Sequence, residues 1–236
     1  MDTREDSVSA KARRRVEGIL PVLFAASERL LTHRQFRDYY PNYLFTLHTM
    51  IRASVPLMQA AEEHARRLSE GADPVSRLLV PYLAKHIQEE AHHDDWLLED
   101  LEAIGYVPES LRSRPPSMNV AYLVGSQYYW TYHYHPVCLL GYISILEGYP
   151  VTPEQIEEMR QATGYPPQAF RTLMKHADLD PHHRDDLDAL LDRLPLTEQQ
   201  EELMSMNAIV TVKLCAKALL EVVQQEPLTS DALAPV

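Results

Sequence analysis

Histidine and carboxylate residues recur at helical spacing in three separate parts of this chain, and together they could hold transition-metal ions. The first run is His86-Ile87-Gln88-Glu89-Glu90-Ala91-His92-His93. At about 100° per residue, His93 falls about 20° behind His86 and Glu90 about 40° ahead, on the stripe that carries Leu79, Leu97, Leu101 and Ile104. Glu89 lies at its margin and His92 well off it. Glu90 and His93 thus form a Glu-x-x-His pair on an apolar face, the i, i+3 spacing of helical carboxylate metal sites. An unpaired charge on such a face is costly, so the pair needs a partner. The alternative is a solvated acidic face with a core histidine.

Glu147 is the only acidic residue between Asn119 and Glu154. It ends an apolar helix, where the macrodipole disfavours negative charge, so a metal or a cationic side chain must compensate it. The third run is His176-Ala177-Asp178-Leu179-Asp180-Pro181-His182-His183. On a continuous helix His176, Asp180 and His183 share one narrow stripe, while Asp178 and His182 point elsewhere. Asp180 could instead cap a new helix with Pro181 at its first position, which would break that stripe. Three carboxylates and three imidazoles suit iron, manganese or zinc, and do not suit calcium or magnesium. Six ligands on three helices match two ions with positions left open for dioxygen or substrate.

The elements that must carry these residues are helical. Apolar residues recur three and four apart over long segments, and alternating runs are few. The expected helices are 16–32, 36–70 with Pro41 and Pro56 inside, 75–104, 120–147 split or kinked at Pro136, 152–164, 167–194 with Pro181 inside, and 197–225. Residues 105–119 read as a loop. Thr152-x-x-Gln155 and Thr197-x-x-Gln200 are capping boxes, and Gly105 and Gly164 are natural stops. The segment 120–147 is apolar almost all round and should lie at the centre of the fold. The expectation is an all-α bundle of seven or eight helices in one domain, 16–226, between a disordered tail at 1–15 and a polar tail at 227–236.

Composition narrows the function. The chain has 236 residues, 45% of them apolar, 11 histidines and a formal charge of −12. A real core follows, and no basic stripe exists to bind nucleic acid or an anionic membrane. No run approaches the roughly 20 uninterrupted apolar residues of a membrane span. No secretory signal is evident, and the expectation is a cytoplasmic protein. Cys138 and Cys215 form no CxxC pair and read as buried small hydrophobes.

In their order, Glu90-x-x-His93, the lone Glu147 and His176-x-x-x-Asp180-x-x-His183 resemble the ligands of the heme-oxygenase-like diiron oxidases and oxygenases. The two histidine-rich runs also resemble the wider superfamily of TenA-type thiaminases and the pyrroloquinoline-quinone synthase. The resemblance spans about 43–221. It implies a heme-oxygenase-like bundle and an iron pair, with manganese as a substitute. That pair would activate dioxygen to oxidise a small amino acid, amine or fatty acid by N-oxygenation, desaturation or carbon–carbon cleavage. It also implies a homodimer in a natural-product pathway. Carried over, Glu90, His93, His176, Asp180 and His183 are ligands and Glu147 is a bridge. Wider spacing in parts of the family leaves His86 or Glu89 as a replacement in the first pair, with His86 otherwise beside the ligands.

Two further features could serve a pocket. The run Gln127 to Pro136 holds Tyr132 and His133, which read as core packing or as a pocket wall near the metals. Arg52, in an apolar stretch, could clamp a substrate carboxylate or pair with a structural Glu. Competing with the diiron oxidase are a metal-free TenA-like or pyrroloquinoline-quinone-synthase-like enzyme and a non-catalytic helical binding protein. No cysteine lies in either ligand-bearing run, which counts against a thiaminase nucleophile.

Overall fold

The computed structural model describes residues 7–229, and the parts of the expected tails at 1–6 and 230–236 lie outside them. Eleven α-helices follow one another: α1 Val8–Glu17, α2 Leu20–Leu31, α3 Phe36–Glu70, α4 Pro74–Glu89, α5 His93–Glu102, α6 Pro108–Arg112, α7 Met118–His133, α8 Leu139–Leu146, α9 Pro153–Thr163, α10 Arg171–Leu191 and α11 Glu198–Val222. Short 3-10 turns at Pro136–Cys138 and Pro167–Phe170 lead into α8 and α10. No strand occurs among the described residues. The expected all-α bundle is observed, and its helices outnumber the seven or eight expected because two long patterns are broken. Residues 75–104 split into α4 and α5, and 120–147 into α7 and α8. A short helix, α6, also lies within the expected loop, and α1 lies largely within the expected N-terminal tail.

The sequence signals act where their chemistry requires. Thr152 and Thr197 close both capping boxes, and Ser117 caps α7. Gly164 ends α9 with φ +64°, a left-handed conformation that costs glycine little. Helix α3 runs unbroken through Pro41 and Pro56, and α10 runs unbroken through Pro181. The second of these settles the alternative at Asp180: it is an interior helical residue and His176, Asp180 and His183 share one stripe.

Helices α3 and α11 form the spine. Helix α11 is long and apolar enough to cross a bilayer by length and composition alone, and half of that apolar stretch is buried. It packs on α2, α7 and α8. At Gly141 the α8 backbone meets α11 so closely that a Cβ would collide with the Met204 carbonyl. Gln127 and Asn207 exchange amide hydrogen bonds of 3.1 and 2.7 Å, and Asn207 also donates to the Cys138 carbonyl, which ties α7, the turn and α11 together.

Both proposed tails need correction. Residues 8–17 form α1, which packs on α10 and α11, with Ser9 N–H donating to Asp192. At the other end Leu228 is buried, its N–H donates to Asn42 at 2.7 Å, and its carbonyl accepts from Tyr106. The centrality of 120–147 holds only for its second half. Helix α8 is buried along most of its length, whereas Met118, Tyr122, Tyr129 and Tyr132 of α7 face solvent.

Candidate metal centre

The expected run 86–93 does not lie on one helix. Helix α4 ends at Glu89, Glu90 is its C-cap with its N–H on the His86 carbonyl, and His92 turns left-handed with φ 70° before His93 opens α5. A left-handed non-glycine residue is strained, and such strain is held in place by surrounding structure. His86 and Glu90, four apart at the end of α4, and His93 just beyond the turn meet at one interior point. Glu147 reaches the same point as the C-cap of α8, and α10 supplies His176, Asp180 and His183.

All six ligands expected from the sequence therefore converge, and His86 joins them as a full member. His86, Glu90, Glu147 and His183 offer ligand atoms that lie within 4.8 Å of one another. His86 Nε2 is 2.8 Å from Glu147 Oε1, and His183 Nδ1 is 3.5 Å from Glu90 Oε1. On the other side Glu90 Oε2 is 3.2 Å from His93 Nδ1, the His93 and His176 rings meet edge-on at 5.1 Å, and His176 Nδ1 is 3.0 Å from Asp180 Oδ1. Glu90 is thus the carboxylate that faces histidines of both halves, a position the resemblance had implied for Glu147. Glu89 stays outside, partly exposed and 3.2 Å from Lys85.

Charge in so buried a place needs compensation, and the side chains supply it to one another. Burial pushes the Glu147 carboxyl up to about 7, against the pull of His86. Burial also depresses His86, but Glu147, Glu90 and Glu89 outweigh it and hold the imidazole above its ordinary value. Likewise, burial raises Glu90 less than the imidazoles of His93, His176 and His86 lower it. Asp180, Glu90 and Glu147 more than offset the burial of His176 and raise it, whereas burial and the nearby His86 lower His183.

Even so, Glu90 Oε1, His93 Nδ1, Glu147 Oε2, His176 Nε2 and His183 Nδ1 are buried with no hydrogen-bond partner among the described residues. Unsatisfied buried polar atoms are rare because each forfeits its solvation. Five at one point, all metal-ligating nitrogen or oxygen, fit a cation bound among them. Carboxylate and imidazole donors suit iron or manganese.

Two aromatic rings absent from the expected site pack against candidate ligands. Tyr82 stacks on His86 at 5.4 Å, and Trp96 on His93 at 3.9 Å. Tyr82 lies four residues before His86 and Trp96 three after His93, so an aromatic residue at helical spacing from each ligand was the available signal. Three expected residues are elsewhere. Arg52 is exposed and donates to the Arg112 carbonyl, and Tyr132 and His133 face solvent on α7. The helical period ranks residues around an axis but does not say which side meets the core.

A cavity of about 230 Å³ abuts the cluster at Glu90, Glu147, His176 and Asp180. Its walls come from α2, α3, α8, α10 and α11, and the lining reaches solvent at Phe24, which is half exposed. On the opposite side a polar groove with Lys85, Glu89, His182 and Asp186 touches His93 and His183.

Known proteins share this fold. The chain is similar in structure to a domain of unknown function with a heme oxygenase-like fold from Shewanella denitrificans, with TM-score 0.71 and 17% identity over 92% of this chain and 89% of that one. It is also similar to a TenA homolog from Pseudomonas syringae pv. tomato, with TM-score 0.66 and 14% identity over 95% and 96%. At such identities the likeness establishes the fold alone. No curated protein matches the sequence. Residues 83–212, more than half of the chain and enclosing every residue of the cluster, match the sequence pattern of one family. The chain belongs to the family of iron-containing redox enzymes.

Proposed function

We propose that this chain is a non-heme diiron oxidase or oxygenase that uses dioxygen to oxidise a small amino acid, amine or fatty acid. The observation that carries the reading is the convergence of five unpartnered, buried nitrogen and oxygen atoms among seven ligand-type side chains. His86, Glu90, Glu147 and His183 would hold one ion, and Glu90, His93, His176 and Asp180 the other. When bound, such a pair supplies the electrons that activate dioxygen for N-oxygenation, desaturation or carbon–carbon cleavage. Manganese suits the same donors.

The remaining work belongs to the chain. Tyr82 and Trp96 hold two imidazoles in orientation by stacking, as groups around a metal's ligands commonly do. The His86 and Glu147 side chains, 2.8 Å apart, keep a proton between them until a cation displaces it. The apolar cavity keeps water from one side of the cluster and leaves room there for substrate. A metal-free nucleophilic enzyme of the same fold would need a reactive group in that cavity. Its only thiol, Cys215, is pushed up to about 12 by burial and carries no useful thiolate near neutral pH.

The test is to add ferrous iron anaerobically to metal-free protein, count the bound metal, and follow absorbance after oxygen is admitted. About two irons per chain and an oxygen-dependent absorption band are expected. No specific iron uptake would overturn the reading.

A further inference from the structure

Two openings reach the cluster, and they differ in what they can admit. The cavity on one side has aliphatic walls such as Leu47, Ile51 and Leu219, and the only carboxylates and imidazole on it are Glu90, Glu147, His176 and Asp180, the ligands themselves. A hydrated dication cannot shed its water along such a wall, because no group there replaces the lost solvation before the ligands are reached. The groove on the other side offers what the cavity lacks. Lys85, Glu89, His182, Asp185 and Asp186 line it. It also touches His93 and His183, which stand in different halves of the cluster and are each buried with Nδ1 unpartnered among the described residues.

The Lys85 ammonium ties two of the groove's carboxylates together. It lies 3.2 Å from Glu89 Oε1 on its own helix and pairs with Asp186 of α10, so it joins the two helices that carry His86 and His183. A cation is thus already held between Glu89 and Asp186, on a long, exposed side chain that is free to swing away. The other oxygen of Glu89, Oε2, is 3.7 Å from His86 Nδ1, which places this carboxylate between Lys85 and a candidate ligand. That position gives a role to Glu89, which the cluster itself leaves out. Three carboxylates against one lysine also make the groove negative, and a negative cleft concentrates cations and speeds their arrival.

We propose that this groove is the route by which metal ions enter and leave the cluster, with Glu89 and Asp186 as an outer cation site where an arriving dication takes the place of the Lys85 ammonium before passing inward. This rests on the two-metal reading of the cluster and adds how the cluster is filled.

The test is stopped-flow mixing of metal-free protein with cobalt(II) under nitrogen, since cobalt suits the same donors and its visible absorption reports uptake. Release is followed into excess chelator, at a rate independent of chelator concentration. Lys85→Met should raise uptake and release alike by about twofold to fivefold, because both directions require the ammonium to leave. Loss of a positive charge that guarded no route would instead raise uptake and slow release. His182→Trp, a bulkier side chain at an exposed position in the groove, should slow both rates several-fold with affinity unchanged. Ile51→Trp, on the cavity wall, should change neither rate. Added salt should slow uptake by the wild type. Slower release in Lys85→Met, wild-type rates in both Lys85→Met and His182→Trp, or slowing in Ile51→Trp would overturn the inference and leave the metal reading standing. A wild-type chain that takes up no cobalt and no iron would overturn both.

Discussion

His86 Nε2 lies 2.8 Å from Glu147 Oε1, joining the last turn of α4 to the end of α8 across 61 residues of sequence. The contact answers the problem posed by a lone glutamate at a helix C-terminus, because His86, held above its ordinary value by the carboxylates around it, is the side chain that can carry the compensating charge. It also ties metal binding to pH. With its carboxyl near 7, Glu147 is mostly protonated at pH 6 and mostly ionised at pH 8. A ligating carboxylate must lose its proton, so affinity for metal rises as pH rises through that value. Competition with a chelator at the two pH values measures the rise, and Glu147→Gln should reduce it to the share left by the His86 and His176 imidazoles while lowering affinity at the higher pH. Equal affinity of the wild type at both values would contradict this.

Glu90 faces both halves of the cluster, whereas His183 faces Glu90 and Glu147 in one half and His93 the other. Single substitutions should therefore differ in stoichiometry. His183→Ala is expected to retain about one iron of two, and Glu90→Ala almost none. Metal analysis, with circular dichroism as a check on folding, separates these outcomes. Identical loss in both variants would mean that the halves do not fill independently.

The Trp96 ring covers His93 with centroids 3.9 Å apart. Losing a group that orients a ligand typically costs tenfold to a hundredfold in metal affinity. Trp96→Leu should show about a tenfold loss or more, and Tyr82→Phe, which keeps the ring stacked on His86, little change. An unaltered affinity in Trp96→Leu would show that packing elsewhere orients His93.

Two glycines make opposite predictions for stability. A Cβ at Gly141 would collide with the Met204 carbonyl, so Gly141→Ala should cost about 1–3 kcal/mol through overpacking between α8 and α11. Gly125, exposed within α7, has nothing within 4 Å of such a Cβ. Gly125→Ala should stabilise by about 0.5–1 kcal/mol by removing backbone freedom from the unfolded chain. Thermal melts of the two proteins should move in opposite directions, by roughly 2–4 °C for each kcal/mol. A lower Tm for Gly125→Ala would contradict the account.

The sequence alone determined what depends on neighbours along the chain. His176, Asp180 and His183 stand on one stripe because a single helix carries them four and three residues apart, and Thr152 and Thr197 cap their helices through contacts only three residues long. Tertiary structure decided the rest. No glycine or asparagine in Glu90-Ala91-His92 marks a left-handed turn, and that turn is what starts a new helix at His93 and sets its ring 3.2 Å from Glu90. The promotion of His86 depends on Glu147 arriving from another helix. The outward placement of Arg52, Tyr132 and His133 depends on which face of α3 and α7 meets a neighbour. Helical periodicity sets the angle between two side chains about one axis, but burial, the cavity and the second partner of every ligand are set by how separate axes pack, and that is a property of the whole core.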